Sequence, residues 1–177
     1  MATCIFDFDS TLITCESTEK ILEKNYGEDT LLMEKISAIT CEGMEGKKDF
    51  FTSLNERLAL AKPHYESVCA FAEEAVSLLT PGVEELIASL RRKGCEVWIV
   101  SGAIRDVLLP TAQYLGIPLD RVCGVRVLWD EDGIYKSIDG EDPWSFSKAQ
   151  GADSIYKRWS LPSIAVGDGM TDYALYE

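Results

Sequence analysis

Cys4-Ile5-Phe6-Asp7-Phe8-Asp9-Ser10-Thr11-Leu12-Ile13 opens the chain and decides how the rest of it is read. A short apolar run leads into two aspartates two residues apart, and a hydroxyl pair follows. That is the pattern of a buried strand ending where its polar residues emerge. In an open parallel sheet, ligands bind beyond the carboxyl ends of the strands. Asp7 and Asp9, with no basic residue nearby in sequence, would repel each other there unless a cation neutralises them or one carries a proton. The same residues also suit an Asx or ST turn, in which Asp and Ser side chains bond nearby amides. The stretch alone leaves both readings open.

From Glu16 to Leu79 apolar residues recur at helical spacing, as in Ile21-Leu22, Leu31-Leu32, Ile36, Ile39, Phe50-Phe51, Leu54, Leu58 and Val68 to Leu79. Asn25-Tyr26-Gly27 stops a first helix, Asp29 or Thr30 caps a second, Gly43 to Gly46 breaks the pattern, and Lys62-Pro63 ends a third. About four short helices are predicted, with no strand between them. Pro81-Gly82 is a turn, and Val83 to Arg92 an amphipathic helix stopped at Lys93-Gly94. Glu96 to Val100 reads as a central parallel strand stopping at Ser101-Gly102. A helix over Arg105 to Leu115 follows, then a strand over Val122 to Leu128. A second strand lies at Ile134-Tyr135, beyond an Asp132-Gly133 turn. Gln150 to Trp159 is helical, Ser163 to Val166 is a further buried strand, and a last helix starts near Thr171. Strands alternating with helices predict an α/β fold with a doubly wound parallel sheet. The core would be residues 1–13 and 80–177, and a helical insertion over 14–79 would sit above the strands' carboxyl ends. The helix from Thr171 has room for barely two turns before Glu177, so a further strand is expected beyond the sequence in hand.

Composition bounds the function. The chain has 177 residues, of which 46% are hydrophobic, enough for one packed core. Its net charge of −13 argues against nucleic acid or an anionic membrane as a partner. An anionic small molecule stays possible if a metal or a few cations are focused in a site. Cys4, Cys15, Cys41, Cys69, Cys95 and Cys123 are dispersed without a CxxC pair, as buried free thiols of a cytoplasmic protein would be. No secretory leader or membrane span is evident.

Three expected strand ends carry matched polar groups: Asp7-Phe8-Asp9-Ser10-Thr11, Ser101-Gly102-Ala103, and Gly167-Asp168-Gly169-Met170-Thr171-Asp172. A Ser-Gly or Gly-Asp-Gly alone is usually a turn. Three such ends in this order would meet along one edge of the sheet.

Together these motifs resemble the four signatures of the haloacid dehalogenase-like hydrolase superfamily, in order and over the whole chain, with Lys148 at the place of the third. The helical block resembles that superfamily's small cap. Within the superfamily the resemblance is to phosphoserine phosphatases, through Asp7 to Thr11, Glu16, Met44 to Lys47 with Phe50, Ser53 to Leu60, and Leu79 to Gly82. The resemblance implies a Mg2+-dependent phosphomonoesterase acting on a small phosphorylated metabolite. Asp7 is then the nucleophile that forms an aspartyl-phosphate, and Asp9 the general acid and base. Mg2+ would be held by the Asp7 and Asp168 side chains and the Asp9 backbone carbonyl. Ser101, Gly102 and Lys148 would bind phosphate, and Asp172 would support the metal waters or Lys148. Glu16 would pair with a substrate ammonium, Arg57 with its carboxylate, and Thr171 would contact substrate. Each has a plainer reading: Glu16 as a helix N-terminal acid, and Arg57 as an exposed partner of an acid such as Glu56. The superfamily's lysine is often followed by Gly, but here by Ala149-Gln150-Gly151, which keeps Lys157 and, less so, Lys136 as alternatives. Thr171 stands where many relatives carry Asn. Phosphoethanolamine, a phosphosugar, or a non-catalytic binding domain on the same fold are the competing readings; keeping both Asp7 and Asp9 speaks against the last. The single His64 and the dispersed Trp98, Trp129, Trp144 and Trp159 are read as linker and packing residues.

Overall fold

The computed structural model of the chain describes residues 2–175, and the Thr171 side chain lies outside what it describes. Four parallel strands form the central sheet in the order β3-β2-β1-β6: β1 (Thr3–Phe6), β2 (Glu96–Ile104), β3 (Val122–Val125) and β6 (Ser163–Val166). β1 lies between β2 and β6, with Phe6 opposite Ile99 on one side and Val166 on the other. Every residue of β1 is buried, Thr3 included, as a central strand flanked on both sides requires. Between β1 and β2 come α1 (Ser17–Tyr26), α2 (Thr30–Met44), α3 (Phe50–Ala61), α4 (Tyr65–Ala75) and α5 (Val83–Arg92). α6 (Arg105–Tyr114) joins β2 to β3, and α7 (Lys148–Ile155) precedes β6. The doubly wound α/β class expected from the alternation is the one found.

Local chemistry explains the helix ends. Asp29 and Asp49 accept hydrogen bonds from the Leu32 and Thr52 amides, capping α2 and α3. Lys62 ends α3 in the left-handed region, ahead of Pro63. α5 buries Val83 and Ile87, with Glu84 and Glu85 in its first turn and Arg91 and Arg92 in its last, complementing the helix dipole.

The chain leaves the sheet and returns to it side by side. Thr14 N–H donates to Leu78 O at 3.0 Å, and Thr80 N–H to Leu12 O at 2.9 Å. Phe8, Leu12 and Ile13 beneath this crossing are wholly buried. Each such side chain contributes roughly 1.5–3 kcal/mol of transfer free energy, so the loop carrying Asp7 and Asp9 is anchored on both sides.

Five sequence expectations need correction. β2 does not stop at Ser101: a bulge interrupts it after Val100, and pairing resumes where Ile104 meets Val125. The neighbouring strand, which local sequence cannot show, supplies those bonds. The run over 122–128 is two strands, because the chain leaves the sheet at Arg126. β4 (Val127–Trp129) then pairs antiparallel with β5 (Tyr135–Ile138). β6 is an edge strand with Ile164 and Val166 exposed, since only β1 pairs with it among the described residues. The thiols are all free, but only Cys4 and Cys123 are buried and Cys41 is exposed. Residues 156–158 and 170–175 are 3-10 rather than α-helical.

Candidate active site

Beyond the carboxyl ends of β1, β2 and β6 lies a cleft of about 890 Å3, roofed by α1, α2 and α3. Asp7, Asp9, Glu16, Arg57, Ser101, Gly102, Lys148 and Asp168 all line it. The three polar strand ends therefore share one mouth with the two expected cap contacts.

Asp7 is buried at the end of β1. Its Oδ1 accepts the Phe8 amide at 2.7 Å, and its Oδ2 lies 2.8 Å from Lys148 Nζ. Lys148 is itself buried and also pairs with the fully buried Asp172, which accepts the Gly169 amide at 3.0 Å through its other oxygen. The result is a buried chain of acid, ammonium and acid. Burial pushes the Asp7 carboxyl above its ordinary range and Asp172 adds to this, while Lys148 and the Phe8 amide oppose it. Of the three lysines considered, Lys148 is the one that stands at Asp7; Lys157 is exposed beside the Tyr156 ring, and Lys136 is exposed on β5.

Lys148 opens α7, whose N-cap Ser147 accepts the Gln150 amide. One turn on, Gly151 gives room to Trp144: a Cβ there would come within 2.1 Å of the indole. Gly151, three residues after Lys148, thus seats Trp144. Gly102 has a similar reason, since its Cβ would lie 3.0 Å from the Phe50 ring at the start of α3. The roof thus rests directly on the Ser101-Gly102 bulge of β2, and Ser101 Oγ accepts the Ala103 amide at 3.2 Å.

Asp9 faces α1. Ser17 N–H donates to one carboxylate oxygen at 3.1 Å and Ser17 Oγ to the other at 2.9 Å. Glu16, the residue before α1, makes no side-chain cap, so Asp9 caps this helix from outside it. Burial first, then Glu16 and Asp7, push its carboxyl up to about 7 against the Ser17 hydrogen bonds. Ser10 sits in the left-handed region at φ 51° and donates through Oγ to Glu16 at 2.5 Å, tying the loop to the roof. Such a conformation in a non-glycine residue costs about 1–3 kcal/mol and persists where its surroundings fix it.

Arg57 donates from Nε to Ser53 O at 3.4 Å, and among the described residues no carboxylate pairs with it. Glu56, its alternative partner, pairs with Lys48 instead. Burial lowers the Arg57 pKa, opposed by Glu19 and then by Glu16. Sequence reasoning missed Glu19, Thr40 and Trp144 as cleft residues. Glu19 lies one helical turn beyond Glu16, a spacing that could have flagged it; Thr40 and Trp144 gave no such signal. The carboxylate oxygens of Asp7, Asp168 and Asp172 come within 4.8 Å of one another. This all-oxygen anionic set fits a hard divalent cation.

A family model for haloacid dehalogenase-like hydrolases matches residues 4–177, and the chain belongs to that family. Among curated relatives, a phosphoserine phosphatase of Drosophila melanogaster is 34% identical over 171 residues. The match takes in 94% of this chain and 62% of that protein, so the chain spans less than two thirds of its relative's length. A phosphoserine phosphohydrolase-like protein from Francisella tularensis superposes with a TM-score of 0.90 at 40% identity, over 99% of this chain and 82% of that one. A phosphoserine phosphatase solved as a phospho-aspartyl intermediate analogue superposes with a TM-score of 0.73 at 29% identity, over 99% and 81%. No helix among the described residues is long and apolar enough to cross a membrane.

Proposed function

We propose that this chain is a Mg2+-dependent phosphomonoester hydrolase that converts O-phosphoserine and water to serine and phosphate through an aspartyl-phosphate on Asp7. The observation that carries this reading is the convergence of Asp7, Lys148, Ser101 and Asp168 at the mouth of a cleft whose roof presents Glu16 and Arg57. A relative 29% identical, solved as a phospho-aspartyl intermediate analogue, supports the covalent step.

Asp7 and Asp168 would hold the Mg2+ with the Asp9 carbonyl, and the ion would supply charge neutralisation between a carboxylate and a phosphate dianion. Lys148, held by Asp172, opposes the burial that raises the Asp7 pKa and meets the phosphoryl oxygens. Ser101 Oγ and the Gly102 amide contact the same oxygens. Asp7 attacks phosphorus in line with the ester oxygen. Asp9 gives that oxygen its proton, which its raised pKa keeps available near neutrality. Asp9 then takes a proton from the water that cleaves the acyl-phosphate, returning Asp7. Arg57 receives the substrate α-carboxylate in a forked pair and Glu16 its ammonium, with Thr171 a further substrate contact. The helical segment 14–79 acts as a cap over the 1–13 and 80–177 core and excludes water.

The test is a panel of phosphomonoesters with Mg2+: O-phosphoserine, phosphoethanolamine and p-nitrophenyl phosphate. O-phosphoserine is expected to have the highest kcat/KM, EDTA to abolish turnover, and Asp7→Asn to show none. Activity in EDTA, or in Asp7→Asn, would refute the metal or the nucleophile respectively.

A further inference from the structure

One carboxylate in the cleft has no part in the chemistry above. Glu19 lies in the first turn of α1, one turn beyond Glu16, and lines the cleft together with Arg57 of α3. Glu16 is engaged by the Ser10 hydroxyl. No hydrogen bond or ion pair engages Glu19 among the described residues, and the adjacent Lys20 pairs with Glu23 at 2.7 Å instead. Of the two acids, Glu19 acts more strongly on the Arg57 charge. Yet neither closes on Arg57, whose only hydrogen bond among the described residues runs from Nε to a backbone carbonyl, leaving its terminal nitrogens for a carboxylate from outside the chain.

An unpaired acid in a cleft built for a phosphate dianion weakens anion binding unless the ligand brings a positive charge of its own. Two acids at i and i+3 project from the same helix face. A ligand carboxylate seated on Arg57 therefore places its neighbouring amine beside both. We propose that Glu19 is a specificity-determining residue, the second carboxylate of an amine-binding pair with Glu16. It selects phosphomonoesters that carry an ammonium group next to a carboxylate over ones of the same skeleton without the amine. This rests on the phosphoserine reading above and extends it from one acid to two.

The experiment compares kcat/KM for O-phosphoserine with that for 3-phosphooxypropanoate, which has the same carbon skeleton and no amine, in wild type, Glu19→Gln and Glu19→Asp. Glu19→Gln is expected to lower the preference for O-phosphoserine roughly tenfold, mainly through KM, the scale of one lost contact to a charged group. Glu19→Asp is expected to restore part of it. A Glu19→Gln ratio within twofold of wild type overturns the inference while leaving the substrate reading intact. A merely structural role, which would slow both substrates alike, gives that same unchanged ratio. Wild type that turns over p-nitrophenyl phosphate but not O-phosphoserine overturns both.

Discussion

Replacing Lys148 by Met removes the ammonium that stands between two buried acids and keeps most of the side-chain volume. In the native protein Nζ lies 2.8 Å from Asp7 Oδ2 and also pairs with Asp172, which is 0% exposed. Removing one partner of a buried pair costs about 3–5 kcal/mol, because a charge is left uncompensated in a poorly polarisable interior. For a chain of 150–250 residues each kcal/mol shifts Tm by about 2–4 °C, so a fall of roughly 10 °C is expected at pH 7.5 in EDTA. The sign with pH follows from linkage. Burial already raises the Asp7 pKa against the pull of Lys148, and without Lys148 it rises further above its unfolded value of about 3.9. The penalty is then absent below the unfolded pKa, grows as pH rises, and is complete above the folded pKa. The deficit should therefore be smaller at pH 5 than at pH 7.5, and Mg2+ should recover part of it by neutralising the same acids. Thermal unfolding followed by circular dichroism, for both proteins at both pH values, measures all three. A deficit under about 2 °C at pH 7.5, or one that grows toward pH 5, would refute the argument.

Other consequences follow from the same geometry. Arg57→Ala should raise KM for O-phosphoserine by roughly 10–100-fold and that for p-nitrophenyl phosphate far less, since only the former brings a carboxylate; equal shifts would remove Arg57 from the substrate site. Asp9, with its carboxyl pushed up to about 7, holds its proton below that pH and loses it above. The kcat/KM for O-phosphoserine relative to p-nitrophenyl phosphate, whose leaving group needs no proton, should thus decline above pH 7, and a flat ratio from pH 6 to 8.5 would contradict the acid role. Burial raises the Cys123 thiol from 9.0 to about 12, while Cys41 is exposed. A disulfide reagent at pH 8 should modify the exposed Cys41 quickly and the buried Cys123 only on unfolding, since burial suppresses the Cys123 thiolate.

Much of this protein was legible in its sequence because the signals are local. The apolar run before Asp7, the caps at Asp29 and Asp49 and the helical spacing through Leu79 each depend on neighbours within a turn or a strand. The order of the three polar strand ends then placed the site, since parallel strands put all their carboxyl ends on one edge. What failed depended on partners distant in sequence. β2 runs past Ser101 because β3 offers it bonds, and β6 looked like a buried strand because composition cannot tell a central strand from an edge.

The sequence by itself determined the fold class and the roster of acids, because strand and helix periodicity and strand-end chemistry are written residue by residue. Only the tertiary structure decided which lysine stands at Asp7, that Asp9 caps α1 through Ser17, and that Glu19 shares the cleft with Arg57. Those are contacts between residues far apart in the chain, or between side chains whose facing depends on packing. Charge interactions fall off over a few ångströms in space, with no regard to distance along the chain.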